Sequence, residues 1–437
     1  MRTRTAAVAL VAATALVLAG CSGGGSGEQS DDRTVTFMGW GSPQEVDVFK
    51  DMIAQYEKKY PGVKVDYISV PAADFQTKLQ TMIAAKKTPD VFYMVGENLQ
   101  PLVKNGVIAD LSDYVADNEI FDADNVWKNA IDLWKFDGTT PGQGSIYALP
   151  KDIGPFALAY NKELFAAAGI PDPDPEVPWT WDEFVANAKK LTSGDGADKT
   201  YGTAPYSLES AVWSNDADWL NADHTKVAVT DPKFVEALQW VADLSLKEGV
   251  APSSEEESSL GSFQRFIDGK VGMMGIGPWS QGQFWDEVKF DWDLMPWPVP
   301  TPTSSEATWY GGVGFAVSKS SKNPTDAENL AAFLAFNEDA QRTNMEKGQA
   351  VPNLVDMTND EYLKMDTPPA NKQQFIRIIE EVGHRPTQTF TYNSDWWNVF
   401  STNVASVYRG EVTAAEYTKS VEEEMQTALD DAIATAK

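Results

Sequence analysis

From Arg33 onward the chain alternates short runs rich in β-branched and aromatic residues with amphipathic helical stripes, which restricts it to an α/β sheet with crossover helices. Val35 to Trp40 reads as a first strand. Pro43 opens a helix with Val46, Phe49, Ile53 and Tyr56 on one face, and Tyr60-Pro61-Gly62 stops it. Val63 to Val70 predicts a second strand. Phe75, Leu79, Met82 and Ile83 mark a second helical stripe, and Val91 to Val95, after Pro89-Asp90, predicts a third strand. Three such units in succession imply a doubly wound sheet, whose ligands bind beyond the carboxyl ends of the strands. Residues just after each strand are therefore the first candidates for a site.

A second block begins near Ile146 to Pro150, with a further strand at Phe156 to Tyr160. Thr180-Trp181-Asp182-Glu183 is a capping box that opens a helix through Leu191. Asp231-Pro232 starts another, with Phe234, Leu238, Val241 and Leu244 as its stripe and Gly249 as its stop. Phe263 to Asp268 reads as helix and Val271 to Ile276 as strand. Gly277-Pro278-Trp279 is a tight exit into another helix, Gly311-Gly312 precedes a strand at Val313 to Val317, and helices dominate from Pro324 to the end. At 437 residues a single core would be unusual, so two domains are expected.

Charge narrows the partners. Lys plus Arg number 35 against 64 Asp plus Glu, a formal net charge of -29, with no basic cluster. Nucleic acid is disfavoured, because phosphate binding draws on clustered Lys and Arg. The single cysteine, Cys21, excludes an internal disulfide framework, and His224 and His384 are too far apart for zinc-type spacing. No loop carries the calcium-binding pattern of alternating acids, Gly and a closing Glu. No metal or cofactor is expected.

The amino terminus speaks to compartment. Arg2 and Arg4 precede an apolar run from Ala6 to Ala19, long enough for a signal h-region and short for a membrane span. It ends in Leu18-Ala19-Gly20-Cys21, which resembles the bacterial lipobox, so residues 1–20 are expected to be a lipoprotein signal peptide and Cys21 the lipid-bearing first residue of the mature chain. Residues 21–32, rich in Gly, Ser and acid, read as a flexible tether. Such a protein sits on the outer face of the cytoplasmic membrane, held by its acyl chains.

Aromatic placement carries the chemical signal. Among 15 Trp and 14 Tyr, several fall on strand exits or loops: Trp40, Tyr93, Tyr206, Trp213, Trp279, Trp309 and Tyr310. Indole and phenol rings offer flat apolar faces with one polar handle, which suits the C–H faces of a pyranose while nearby carboxylates and amides take its hydroxyls. Gln44, Glu97, Asp152 and Asn398 lie close in sequence to those rings.

The order of several motifs carries a family resemblance: the lipobox, Phe37-Met38-Gly39-Trp40-Gly41, Pro89-Asp90-Val91-Phe92, Leu149-Pro150 followed by Tyr160-Asn161-Lys162, Trp179-Thr180-Trp181-Asp182-Glu183, Gly272-Met273-Met274 to Gly277-Pro278-Trp279, and Gly311-Gly312 followed by Val317-Ser318. Together they resemble the carbohydrate-specific, maltose-binding-protein-like extracellular solute-binding proteins of ABC importers. The resemblance implies an α/β, two-lobed periplasmic-binding-protein-like fold of type II with the ligand cleft between lobes. Carried over, lobe 1 spans 33–150 plus 313–350 and lobe 2 spans 151–312 plus 351–437. Family contact positions fall on Trp40, Glu97, Tyr206, Trp279 and Trp396 or Trp397. Adjacent helical residues point about 100° apart, so only one of the last pair is expected to face the cleft. Gln44, Asp152 and Trp213 join the candidates by their neighbourhood. Asp90 either caps or binds, and Tyr310, Gly311 and Gly312 read as cleft or hinge residues. Tyr160-Asn161-Lys162 and Trp181 read as structural.

The implied function is the binding component of an importer, in which a small carbohydrate closes the lobes and the closed protein, expected to be a monomer, docks on the transmembrane subunits of a permease. No covalent step is required. Two alternatives stand beside it: an exported glycoside hydrolase, which needs two carboxyls about 5 to 9.5 Å apart, and a binder of a non-sugar solute.

Overall fold

The computed structural model describes residues 33–436; the expected signal peptide, the tether and Cys21 lie outside the described residues. The strand Thr34–Gly39 pairs in parallel with Lys64–Ser69 on one side and with Val91–Val95 on the other. Val313–Val317 joins Val91–Val95 in antiparallel register, Phe315 opposite Tyr93, and Leu149–Pro150 completes the five-stranded sheet. The first strand thus lies between the second and third, and the winding reverses beside it. In an open α/β sheet that reversal leaves a crevice at the carboxyl ends of the two strands, where Trp40 and Gly96-Glu97 follow.

Local signals explain the flanking helices. Pro43–Lys59 starts with proline in its first turn, and the Ser42 hydroxyl accepts from the Glu45 amide at 3.2 Å. Its buried stripe is Glu45, Val48, Phe49, Met52, Ile53 and Tyr56, rotated from the expected one: Val46 is only half-buried. The rotation brings Glu45 inward, where it finds an ion partner. In the expected capping box the Thr180 amide donates to Glu183 Oε2 at 2.8 Å while the Thr180 hydroxyl accepts from the Glu183 amide at 3.2 Å, at the start of Trp181–Leu191. Asp231 caps Pro232–Leu246 through the Lys233 amide at 2.8 Å.

A second, three-stranded sheet is antiparallel throughout, with Ala157–Asn161 between Trp292–Met295 and Met273–Ile276. Trp292–Met295 was not expected, since it is only four residues long and shows no alternation. A third small sheet pairs Thr308–Gly311 with Gly154–Pro155 and with Gly383–His384. Two of its members are passages between the other two sheets. Gly154–Pro155 separates Leu149–Pro150 of the first from Ala157–Asn161 of the second, and Thr308–Gly311 leads from Trp292–Met295 back to Val313–Val317.

Two buried apolar clusters support this arrangement. One gathers the five-stranded sheet with Ala327 to Phe336, Leu354 to Ile379 and, from the second sheet, Met274, Trp292 and Leu294. The other holds Phe184, Trp219, Phe234, Trp297, Trp396 and Leu429. No helix among the described residues is long and apolar enough to cross a membrane.

Candidate functional site

Three adjoining cavities of about 690, 470 and 280 Å³ meet around Phe156, Trp279 and Trp309. The two smaller ones share Trp40, Glu45 and Trp279, and the largest shares Phe156 with one and Trp309 with the other. Trp40 and Gln44 come from the exit of the first strand and the helix after it, while Gly275, Ile276 and Trp279 come from the end of the second sheet. The two smaller cavities therefore run between the two halves, and the largest adjoins them from within the second half, lined by residues between 156 and 309 and between 397 and 408.

A stack of rings forms their common wall. Phe156 and Trp309 lie 4.6 Å apart and 13° from parallel. Trp279 continues the stack at 6.1 Å and 23° on one side, and Trp297 at 5.6 Å and 23° on the other. Trp297 is anchored by its indole N–H, which donates to the Phe156 carbonyl at 2.8 Å. Trp279 is 42% exposed and rests on bare backbone. A Cβ on Gly277 would fall 2.1 Å from its ring, and one on Gly154 would fall 2.9 Å away, so both glycines are needed for the indole to lie flat. Trp40 meets Phe75 and Tyr93 nearly edge-on at 4.6 and 4.9 Å and stays half-buried.

Opposite the rings sits a buried ion triad. Lys151 Nζ lies 2.9 Å from Glu45 Oε1 and 2.5 Å from Asp152 Oδ2, and Asp152 Oδ1 accepts from the Val313 amide at 3.1 Å. Burial opposes the lysine's charge, but Asp152 and Glu45 outweigh it and hold the ammonium above its ordinary pKa. The triad ties the helix Pro43–Lys59 to both chain passages and presents carboxylate edges to the smallest cavity. At Gly312 a Cβ would meet the Asp152 carbonyl at 2.7 Å, so this glycine serves the approach of the two passages.

The structure brings together Trp40, Gln44, Asp152, Tyr206, Trp279, Gly311, Gly312 and Trp397, all of which line these cavities. Trp397 is the member of its pair that does so. Trp396 is fully buried, its N–H donating to Thr391 Oγ1 at 3.0 Å, and belongs to the core. Asp90 sits at the amino end of its strand, away from the crevice, with its carboxylate accepting from the Thr36 amide, the Thr36 hydroxyl and the Ser321 hydroxyl at 2.8, 2.7 and 2.6 Å; it is a structural cap. Trp213 is buried between Trp219 and the ring of His384, 5.2 Å away, and lines none of the three cavities. Tyr310 is likewise buried and paired with Pro155 in the small sheet. Glu97 occupies the turn Gly96–Asn98 at the strand's carboxyl end, where burial raises its pKa. It lines none of the three cavities.

Phe156, Glu45, Lys151 and Glu209 were missed. An acid in the first helical turn normally faces water and the helix dipole, so nothing local marks Glu45 as buried. Glu209 follows the cap Ser207 in the short helix Leu208–Ser214 and looks equally ordinary in sequence. Phe156 had a usable signal, being an aromatic at the edge of a predicted strand beside Gly154. Among the described residues no group of three or more His, Cys, Asp or Glu is placed to hold a metal ion.

Two α/β halves with an aromatic-walled cavity system between their strand ends define a two-lobed solute-binding protein. The chain belongs to the family of bacterial extracellular solute-binding proteins, whose family model matches residues 41–341. It is 23% identical to the galactooligosaccharide-binding protein of Bacillus subtilis over 98% of this chain and 95% of that protein. It is 26% identical to the diacetylchitobiose binding protein DasA of Streptomyces coelicolor over 69% of each. An ABC substrate-binding protein from Listeria monocytogenes, solved in complex with cycloalternan, superposes with a TM-score of 0.81 at 26% identity, covering 92% of this chain and 100% of that one.

Proposed function

We propose that this protein is the oligosaccharide-binding component of a bacterial ABC importer. The observation that carries the reading is the ring stack Trp279–Trp309–Phe156 running along linked cavities that also present Trp40, Tyr206 and Trp397. Linked cavities with several flat faces suit a chain of pyranose rings. Each ring covers an aromatic surface with its C–H face, and the Asp152 and Glu45 edges, Gln44 and neighbouring backbone groups take the hydroxyls. The curated relatives named for oligosaccharide ligands support the same class.

Lobe 1 is assigned to 33–150 plus 313–350 and lobe 2 to 151–312 plus 351–437, with the passages Gly154–Pro155 and Thr308–Gly311 as the hinge. Binding shuts the cleft because the bridged contacts exist only in the closed form. The protein is a non-catalytic monomer, delivered to the outer face of the membrane by its signal peptide and anchored there through a lipid on Cys21.

Titration calorimetry of the purified protein against a panel of mono- and oligosaccharides tests the reading. Stoichiometric binding in the micromolar range or tighter, which corresponds to about −8 kcal/mol, supports it. Absence of heat across the panel overturns it, and release of shortened sugars on incubation replaces it with a hydrolase. Mass spectrometry of the membrane-associated protein tests the anchor, since a lipidated Cys21 adds the mass of its acyl groups.

A further inference from the structure

Charged side chains along the cavities divide into those already engaged and one that is not. Around the smallest cavity Lys151 is shared by Glu45 and Asp152. At the 470 Å³ cavity Lys347 pairs with Asp51 at 2.7 Å. The 690 Å³ cavity is lined by two acids, Glu209 and Glu257, and by no Lys, Arg or His. Glu257 is occupied, since its two oxygens accept from the Ser262 amide at 2.7 Å and the Ser262 hydroxyl at 2.5 Å. Glu209 is met by the Ser207 hydroxyl at 3.2 Å and by its own backbone amide, and has no ion pair among the described residues.

A carboxylate has about four acceptor positions, so part of the capacity of Glu209 is unspent. Its surroundings are poor at replacing water: Trp309, Trp397, Phe400 and Tyr408 line the same cavity. An anion in such a place is costly unless a cation or several donors meet it. Ring faces also attract an ammonium group that sits over them. A carboxylate without a counterion, rimmed by aromatic faces, in a cavity without a basic residue, is complementary to a positive charge supplied by the guest. The chain's net charge of -29 adds attraction at longer range.

We infer that the 690 Å³ cavity is a subsite for a glycan bearing a protonated amine, with Glu209 as the residue that selects it. The inference rests on the sugar-binding reading and deepens it. The neutral rings of the guest stack as any oligosaccharide would, and the ammonium donates to Glu209. The remaining titratable groups of the cavity do not compete: Glu257 is engaged, Tyr206 donates to the Pro298 carbonyl at 3.2 Å, and burial keeps Tyr206 and Tyr408 protonated by raising their pKa values. Burial likewise raises the Glu209 carboxyl from its ordinary range, and an adjacent ammonium would lower it again.

Calorimetry at pH 6.5 with the glucosamine trimer, its fully N-acetylated counterpart and maltotriose tests the assignment. A charge-assisted hydrogen bond of typical strength predicts that the amine trimer binds at least about tenfold more tightly than its acetylated counterpart. Glu209→Gln should reduce that ratio to about threefold or less, whereas Glu209→Asp, which keeps the charge, should preserve its direction. Raising the pH above the amine's own pKa should erase the preference in the unaltered protein, a readout that needs no variant. Equal affinities for the two trimers, or a ratio unchanged in Glu209→Gln, overturn the amine subsite. If the neutral glycans still bind, the sugar-binding reading stands; if no glycan in the panel binds, both fall.

Discussion

Trp279 combines two properties that seldom coincide: a large apolar face left 42% exposed, and a seat on two glycines that would be wasted on an ordinary surface residue. Its energy is therefore realised when a guest covers it. Trp279→Ala is expected to weaken oligosaccharide binding at least about tenfold while lowering unfolding free energy by only about 1–2 kcal/mol, because the ring is partly exposed in the free protein and its loss opens no enclosed cavity. Paired calorimetry and urea titration check both halves, and undiminished affinity removes Trp279 from the contact. Glu97 gives a pH signature. Burial raises its native carboxyl above the ordinary value of 4.5, so the native state holds this proton more strongly than the unfolded chain does. The associated stability is fully present below the unfolded value and is lost as pH rises through the native one. Glu97→Gln removes the penalty, so near neutral pH the ligand-free variant should be more stable, with the gain vanishing as pH falls below the ordinary carboxyl range. A urea series across pH 4 to 7.5, with roughly unit spacing as its resolution, checks it, and a gain that persists at the acid end contradicts the assigned cause.

At the scale of elements, the helix Pro43–Lys59 and the passage after Leu149–Pro150 are joined by a charged group where most helix–sheet contacts are apolar. Lys151 also lies over the rings of Phe49 and Tyr93, at 5.6 and 5.7 Å. Removing it leaves two buried carboxylates facing each other. Lys151→Met is expected to cost about 3–5 kcal/mol, the usual price of breaking a buried pair from one side, read as a lower urea midpoint. Adding Glu45→Gln should recover part of the loss, because one of the stranded charges is then gone. A midpoint unchanged in Lys151→Met would mean the triad is solvated in solution. The capping box at Thr180, the Pro-started helices and the strand Val313–Val317 were all legible in the sequence, since each depends on a few adjacent residues. The short strands Gly154–Pro155, Trp292–Met295 and Gly383–His384 were not, because their pairing comes from distant partners and no local periodicity announces it.

For the whole molecule, the small sheet of passages makes relative motion of the halves the natural response to a guest lodged between them, since few residues need change backbone angles. Saturation with a binding oligosaccharide should lower the radius of gyration in solution scattering and raise the melting midpoint by mass action, about 2.7 kcal/mol of added stability at a hundredfold excess over Kd. Binding with an unchanged scattering profile would argue against closure. By itself the sequence determined the α/β class, the strand exits as the place to look, and the presence of aromatic faces there, because hydrophobic period, turn residues and caps act over a few positions. Only the tertiary structure decided that Trp397 rather than Trp396 reaches the cavity, that Asp90 is spent on Thr36 and Ser321, and that Glu45 is buried against Lys151 while Glu209 has no counterion among the described residues. Those outcomes depend on which groups distant in the chain arrive within a few ångströms of each other, and burial and charge pairing are properties of that meeting.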